Sequence, residues 1–162
     1  TFGNHTFSVY GSIEGNDVTT FTGTVSMNGL NGNYADLSGI RFESNTPNSE
    51  TGLNAYCFVL LSNCDFSGWN IAAVAQERAW VSASDCTFTD NTTALKFTTS
   101  LSYGSSPSYF NNTFTGNGTA VRIDSLPGSE VLDFTGSTFA ENDVDIDNPA
   151  EHPVDTANAV FE

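Results

Sequence analysis

Basic side chains are scarce in this chain. Lys and Arg number 4 against 19 Asp and Glu in 162 residues, a formal charge of −15. That deficit argues against nucleic acid, whose phosphates must be met by clustered basic groups. It argues equally against adhesion to anionic lipid. No apolar run approaches the roughly 20 residues of a membrane-spanning helix. Cysteine is sparse too: Cys57, Cys64 and Cys86 are spaced like no zinc motif, and His5 and His152 stand alone. Both histidines are expected in exposed loops. No segment carries a helical stripe; residues 72–78 (AAVAQER) come nearest, and their place in the repeat described below makes them strand plus loop. The chain opens without Met, a basic leader or an apolar signal core, and so reads as a mature or excised segment. Thirteen Phe, however, exclude disorder and call for a core.

What is present is periodicity. Phe42, Phe66, Phe88, Phe114 and Phe139 follow one another at steps of 24, 22, 26 and 25 residues. In four copies the motif is Phe-x-x-Asn, ending in Asn45, Asn91, Asn117 and Asn142; the Phe66 copy has one extra residue before its Asn. After the Asn comes an alternating step, written Ala94-Leu95-Lys96-Phe97, Ala120-Val121-Arg122-Ile123 and Asp143-Val144-Asp145-Ile146. Alternation is the mark of a half-buried strand. This alignment places Lys96, Arg122 and Asp145 in one outward column. A further apolar patch closes each repeat: Val59-Leu60-Leu61, Trp80-Val81, Tyr109-Phe110 and Leu132-Asp133-Phe134. Gly, Pro, Ser and Asn clusters lie between.

Three short strands per repeat, without hairpin signals, predict an all-β parallel solenoid of about six to seven rungs. Stacked Phe42, Phe66, Phe88, Phe114 and Phe139 would fill the interior, and Asn45, Asn91, Asn117 and Asn142 would form an amide ladder at a corner. An antiparallel sandwich, the rival, predicts turn signals every 8–12 residues without a three-strand register. Residues 38–162 carry the repeats; residues 1–37 read as irregular early rungs or an N-terminal cap.

The runs 110–124 (FNNTFTGNGTAVRID) and 86–98 (CTFTDNTTALKFT) resemble the rungs of right-handed parallel β-helix proteins of the pectin lyase-like superfamily. The Phe-x-x-Asn element is also similar to repeats of polymorphic outer membrane proteins and related adhesins, although their Gly-Gly-Ala-Ile element is absent. The resemblance implies a right-handed parallel β-helix. The acidic, Gly-His-Gly and Arg-Ile-Lys signatures of galacturonidases in that superfamily do not occur; Arg122-Ile123-Asp124 stands nearest to the last.

Candidate chemistry is thin. Trp69 beside Gly68, with Trp80, Tyr103 and Tyr109, is a candidate sugar-stacking set. Asp143, Asp145 and Asp147 share one face of a strand and form a weak Ca2+ candidate, although alternate residues lie too far apart for tight chelation. Thr87-Phe88-Thr89 and Thr113-Phe114-Thr115 turn Thr pairs outward over two rungs. Sequons at Asn4, Asn91, Asn111 and Asn117 point to an extracellular or cell-surface glycoprotein, with Asn4 and Asn111 the better acceptors because Asn91 and Asn117 are needed in the ladder. Cys64 and Cys86, both two residues before a ladder Phe, are expected inward on adjacent rungs, as a disulfide or as stacked thiols.

These features predict a non-enzymatic scaffold: a surface stalk, adhesin segment or filament subunit without a cofactor. Its partners would be further rungs or identical subunits stacked end to end. The alternative is a carbohydrate-binding or polysaccharide-degrading β-helix.

Overall fold

The computed structural model describes residues 1–8, 11–16, 18–28, 34–100 and 108–162. Among them there is no helix, and every strand pair is parallel. The chain winds into a β-solenoid of about six turns.

The first face consists of seven short strands: Thr20–Phe21, Arg41–Glu43, Asp65–Ser67, Thr87–Thr89, Thr113–Thr115, Thr138–Ala140 and Val160–Phe161. The second face holds seven longer ones: His5–Ser8, Val25–Asn28, Thr51–Ala55, Ile71–Glu77, Thr93–Thr99, Thr119–Ser125 and Val144–Asp147. A third face is built from Gly11–Glu14, Tyr34–Ser38, Phe58–Ser62 and Trp80–Ser84, and later from Leu132–Asp133 beside Val154–Asp155. Residues 72–77 enter a strand and Arg78 lies in the turn that follows, as their place in the repeat requires. The strands within residues 1–37 extend the same three sheets.

Each first-face strand has one inward residue, and that residue is Phe. The in-register pairs Phe42–Phe66, Phe66–Phe88, Phe88–Phe114 and Phe114–Phe139 stack with ring centroids 4.3, 5.1, 5.0 and 4.8 Å apart and interplanar angles of 12° or less. The column is longer than the Phe-x-x-Asn motif shows. Phe21 continues it below Phe42 at 5.6 Å, and Phe161 above Phe139 at 5.0 Å. Residues 158–162, which read as the third strand of a rung, therefore contain a first-face strand.

The strands are short because left-handed residues bracket them. Three positions before the Phe stand Gly39, Asn63, Asp85, Asn111 and Gly136, with φ between 51° and 73°. Two positions after it stand Gly68, Asp90, Gly116 and Glu141, with φ between 55° and 73°. Gly, Asn and Asp dominate these corners because they tolerate the left-handed region best. The left-handed corner falls one residue before the ladder Asn, so the Asn itself is selected for its amide.

Second-face pairing corrects one expected register. Arg122 stands beside Lys96 but opposite Asp147, and Val121 pairs with Ile146, so Asp145 lies two residues out of the predicted column. Leu95, Val121 and Ile146 each lie seven residues after their ladder Phe. The alternating pattern is unchanged by a slip of two residues, which is how the shift escapes inspection.

The interior column should dominate stability. Phe88→Ala is expected to cost about 3–5 kcal/mol, as for other buried Phe truncations. Phe161→Ala, at a site still 48% exposed, should cost markedly less. Urea unfolding followed by far-UV circular dichroism compares the two variants directly.

Candidate functional site

Two columns of polar side chains line the corners beside the Phe stack. In the first, Asn91 donates from Nδ2 to Asn117 Oδ1 at 3.0 Å, and Asn117 donates to Asn142 Oδ1 at 2.9 Å. Each amide also donates to the carbonyl of the preceding rung's Phe: Asn91 to Phe66, Asn117 to Phe88 and Asn142 to Phe114. Each Oδ1 in turn accepts a backbone N–H one rung back, from Trp69, Asn91 and Asn117 respectively. Asp145 caps the ladder by accepting from Asn142 Nδ2 at 3.0 Å.

Asn45 does not belong to the ladder; it is exposed in the segment between Glu43 and Thr51. On the next rung Trp69, three residues after Phe66, takes the register position, and the expected extra residue disappears. Its indole Nε1 donates to Phe42 O at 2.8 Å, the bond that an Asn amide makes elsewhere. The larger ring needs room, and Gly52 provides it: a Cβ there would lie 2.7 Å from Ala72 O and 3.1 Å from the indole.

The sugar-stacking set is accordingly dismantled. Trp69, Trp80 and Tyr109 are at most 1% exposed. Trp80 packs near Phe97, and Tyr109 donates its hydroxyl to Val81 O at 2.6 Å. Inward positions in a narrow solenoid favour large flat rings, and the Trp69 indole and the Tyr109 hydroxyl each find a backbone carbonyl. Tyr103 lies outside the described residues.

The second column stands two residues before each Phe and reads Cys64, Cys86, Asn112, Ser137. The N–H of Cys64 reaches Cys86 Sγ at 3.5 Å, that of Cys86 reaches Asn112 Oδ1 at 3.0 Å, and that of Asn112 reaches Ser137 Oγ at 3.1 Å. On the donor side Cys64 Sγ–H points at Leu37 O, Asn112 Nδ2 at Ala83 O and Ser137 Oγ at Tyr109 O. Thiol, amide and hydroxyl are interchangeable here because each both donates and accepts. Cys64 and Cys86 are thus inward and one rung apart, as stacked free thiols rather than a disulfide; Cys57 is also free and buried. The hydrogen bond shared with Cys64, with burial added, pushes the Cys86 thiol well up, so it stays protonated.

The Asp143, Asp145 and Asp147 trio does not converge: no group of three His, Cys, Asp or Glu among the described residues is placed to hold a metal ion. Asp145 caps Asn142 and Asp147 pairs with Arg122. Asp147 belongs instead to an outward strip on the second face, where Lys96 meets Asp124 at 3.1 Å and Arg122 bridges Asp124, at 2.8 Å, and Asp147. Partial burial would raise the Asp124 carboxyl, but the hydrogen bonds and charges of Lys96 and Arg122 outweigh it and hold the group below its ordinary value. On the first face Thr87 and Thr89 pair in register with Thr113 and Thr115, as the motif implied.

Among the sequons, Asn4 and Asn111 are exposed, whereas Asn91 and Asn117 are at most 2% exposed. His152, expected in an exposed loop, is 4% exposed. Its ring nitrogens face Leu126 O at 2.9 Å and Glu130 O at 2.6 Å, so it clasps two strand connections together.

Exposed apolar side chains gather in two places. On the third face Tyr34 stands in register with half-buried Phe58, with Leu60 two residues along and Tyr56 at the preceding corner. At the C-terminal edge Val144, Val160 and Phe161 are 44%, 48% and 48% exposed. The third-face patch was not identified from sequence, and the terminal strand was read there without Phe161 in the aromatic column, although the 22-residue step from Phe139 would have placed it. Comparison with protein-family models, curated proteins and solved structures returns no match.

Removing one ladder amide strands several buried partners at once. Asn117→Ala should cost at least about 1–3 kcal/mol, the penalty for leaving a buried group unsatisfied. Asn45→Ala should stay within about 0.5 kcal/mol; urea midpoints of the two variants check the contrast.

A carboxyl held low in the fold stabilises above its unfolded pKa, about 4 for Asp, and loses that contribution as pH falls through the folded value. Thermal midpoints should therefore drop on acidification below about pH 4. Asp124→Asn should lower the neutral-pH midpoint and flatten part of that acid limb.

Proposed function

We propose that this chain is a non-enzymatic scaffold module, an extracellular stalk or adhesin segment whose rungs are continued axially by further rungs. The supporting observation is the uninterrupted aromatic column, which stacks in register from Phe21 to Phe161. Residues capable of chemistry are engaged elsewhere: Trp69 and Tyr109 hold backbone carbonyls, Asp124 and Asp147 hold cations, and His152 clasps two connections. Such a molecule offers rigidity and length. The three-faced rung with stacked Phe and Asn supports kinship with right-handed parallel β-helix proteins of the pectin lyase-like superfamily. Exposed Asn4 and Asn111 suit glycan attachment in an oxidising, secreted setting.

A second reading, glycan binding, draws on the third-face patch of Tyr34, Phe58 and Leu60 rather than on the buried tryptophans. Rings on neighbouring strands can stack on sugars. Incubation with a panel of soluble polysaccharides separates the possibilities. The scaffold reading expects no new reducing ends and no retardation in polysaccharide-containing gels. Retardation abolished by Tyr34→Ala would establish the glycan reading, and depolymerisation would overturn both.

A further inference from the structure

We infer that the apolar patch on the third face pairs two copies of this chain side by side, through a two-fold axis at Phe58. The pairing is lateral, stands independently of the axial continuation proposed above, and gives the patch an occupant other than a glycan. Outward positions on this face form a grid, because Tyr34–Ser38, Phe58–Ser62 and Trp80–Ser84 run parallel and in register. Val59 and Leu61 turn inward, which leaves Phe58 half-buried and Leu60 37% exposed on the outer side. Exposed Tyr34 and Tyr56 border them. A contiguous exposed apolar cluster of this kind marks a contact surface.

The charges beside the patch identify the partner. Arg78 is exposed in the turn two residues before Trp80 and enters no ion pair among the described residues, whereas Arg41, Lys96 and Arg122 each meet a carboxylate. Asp36, in register with Leu60 one rung back, accepts from the Ser12 hydroxyl at 3.4 Å and likewise enters no ion pair among the described residues. A half-turn about an axis normal to the face at Phe58 carries Leu60, two residues onward, to Tyr56, two residues back. The same half-turn carries Asp36, one rung back and two residues onward, to Arg78, one rung onward and two residues back. Phe58 meets its own counterpart. The patch therefore opposes apolar to apolar and cation to anion when it faces itself, as an isologous contact requires. An acidic partner would suit Arg78 but meet repulsion from Asp36, and a basic one the reverse; a second copy satisfies both. So few side chains suit a reversible contact rather than a permanent one.

Sedimentation equilibrium of the full chain at physiological salt, which screens the charge of −15 on each copy beyond about 8 Å, tests the pairing. A dimer with a dissociation constant on the order of micromolar is expected. Leu60→Glu should abolish it. Arg78→Asp and Asp36→Arg should each weaken it at least about tenfold, by setting like charges face to face. Asp36→Arg is the sharper of the two, because it lowers the net charge and would strengthen association if only net charge mattered. The two exchanges combined should restore the dimer to within about threefold. All three positions face outward, and unchanged circular dichroism would show that the variants fold. A monomer at every concentration up to about 1 mM would overturn the inference. So would a monomer retarded by polysaccharide through Tyr34, which gives the patch to a sugar, or a dimer indifferent to Leu60→Glu, which places the contact elsewhere. Failure of the double exchange to restore pairing would remove the two-fold register, and growth beyond a dimer that Leu60→Glu abolishes would replace closed pairing with an open contact; either overturns it.

Discussion

In-register stacking of identical rungs is the constraint on which the rest of this structure depends. Neighbouring strands in a parallel sheet lie about 4.8 Å apart, so whatever one rung places at a position meets the same position of the next at that distance. Flat rings tolerate this spacing well. Six consecutive pairs in the Phe21–Phe161 column stack with centroids 4.3–5.6 Å apart. The ring needs only a three-residue strand to present it, and left-handed corners on both sides turn the chain immediately away. Rung geometry thus follows from the size of one aromatic side chain and from the few residues that tolerate positive φ.

Sharp corners leave backbone groups that no sheet partner can reach, and burial makes such orphans costly. The two polar columns meet that demand with side chains that donate and accept together. Their composition shows that the requirement is chemical rather than tied to one residue. An indole replaces an amide at Trp69, and a thiol replaces an amide at Cys64 and Cys86. The substitution at Trp69 carries its own local adjustment, because Gly52 leaves space for the larger ring. Where the column ends, Asp145 supplies the last acceptor.

Electrostatics follow the same rung logic. With 4 cations among 19 acids, every Lys or Arg has a choice of partners, and the three ion-paired ones use a carboxylate on the following rung. These exposed or half-exposed pairs add little stability individually. Their effect is to pin register and to leave the final rung rich in unpaired acid.

Periodicity alone was sufficient to establish the all-β solenoid, the inward Phe column from Phe42 to Phe139, and the ladder Asn91–Asn117–Asn142. All three are properties of spacing, and spacing is what a linear sequence displays. Phe21 escaped because Thr24 stands where the ladder Asn would, although the interval was there to count. The fate of Trp69, Trp80, Tyr109 and His152 was not legible, since an aromatic or imidazole at a corner can face either way. Only the folded chain decides, by offering each an enclosed carbonyl or ring partner. Likewise Asp145 and Asp147 are interchangeable in an alternating pattern, and only pairing against Arg122 distinguishes the ladder cap from the ion-pair partner. Sequence by itself determined which residues repeat; tertiary structure decided which partners they meet, because hydrogen-bond geometry and packing exist only once the rungs are stacked.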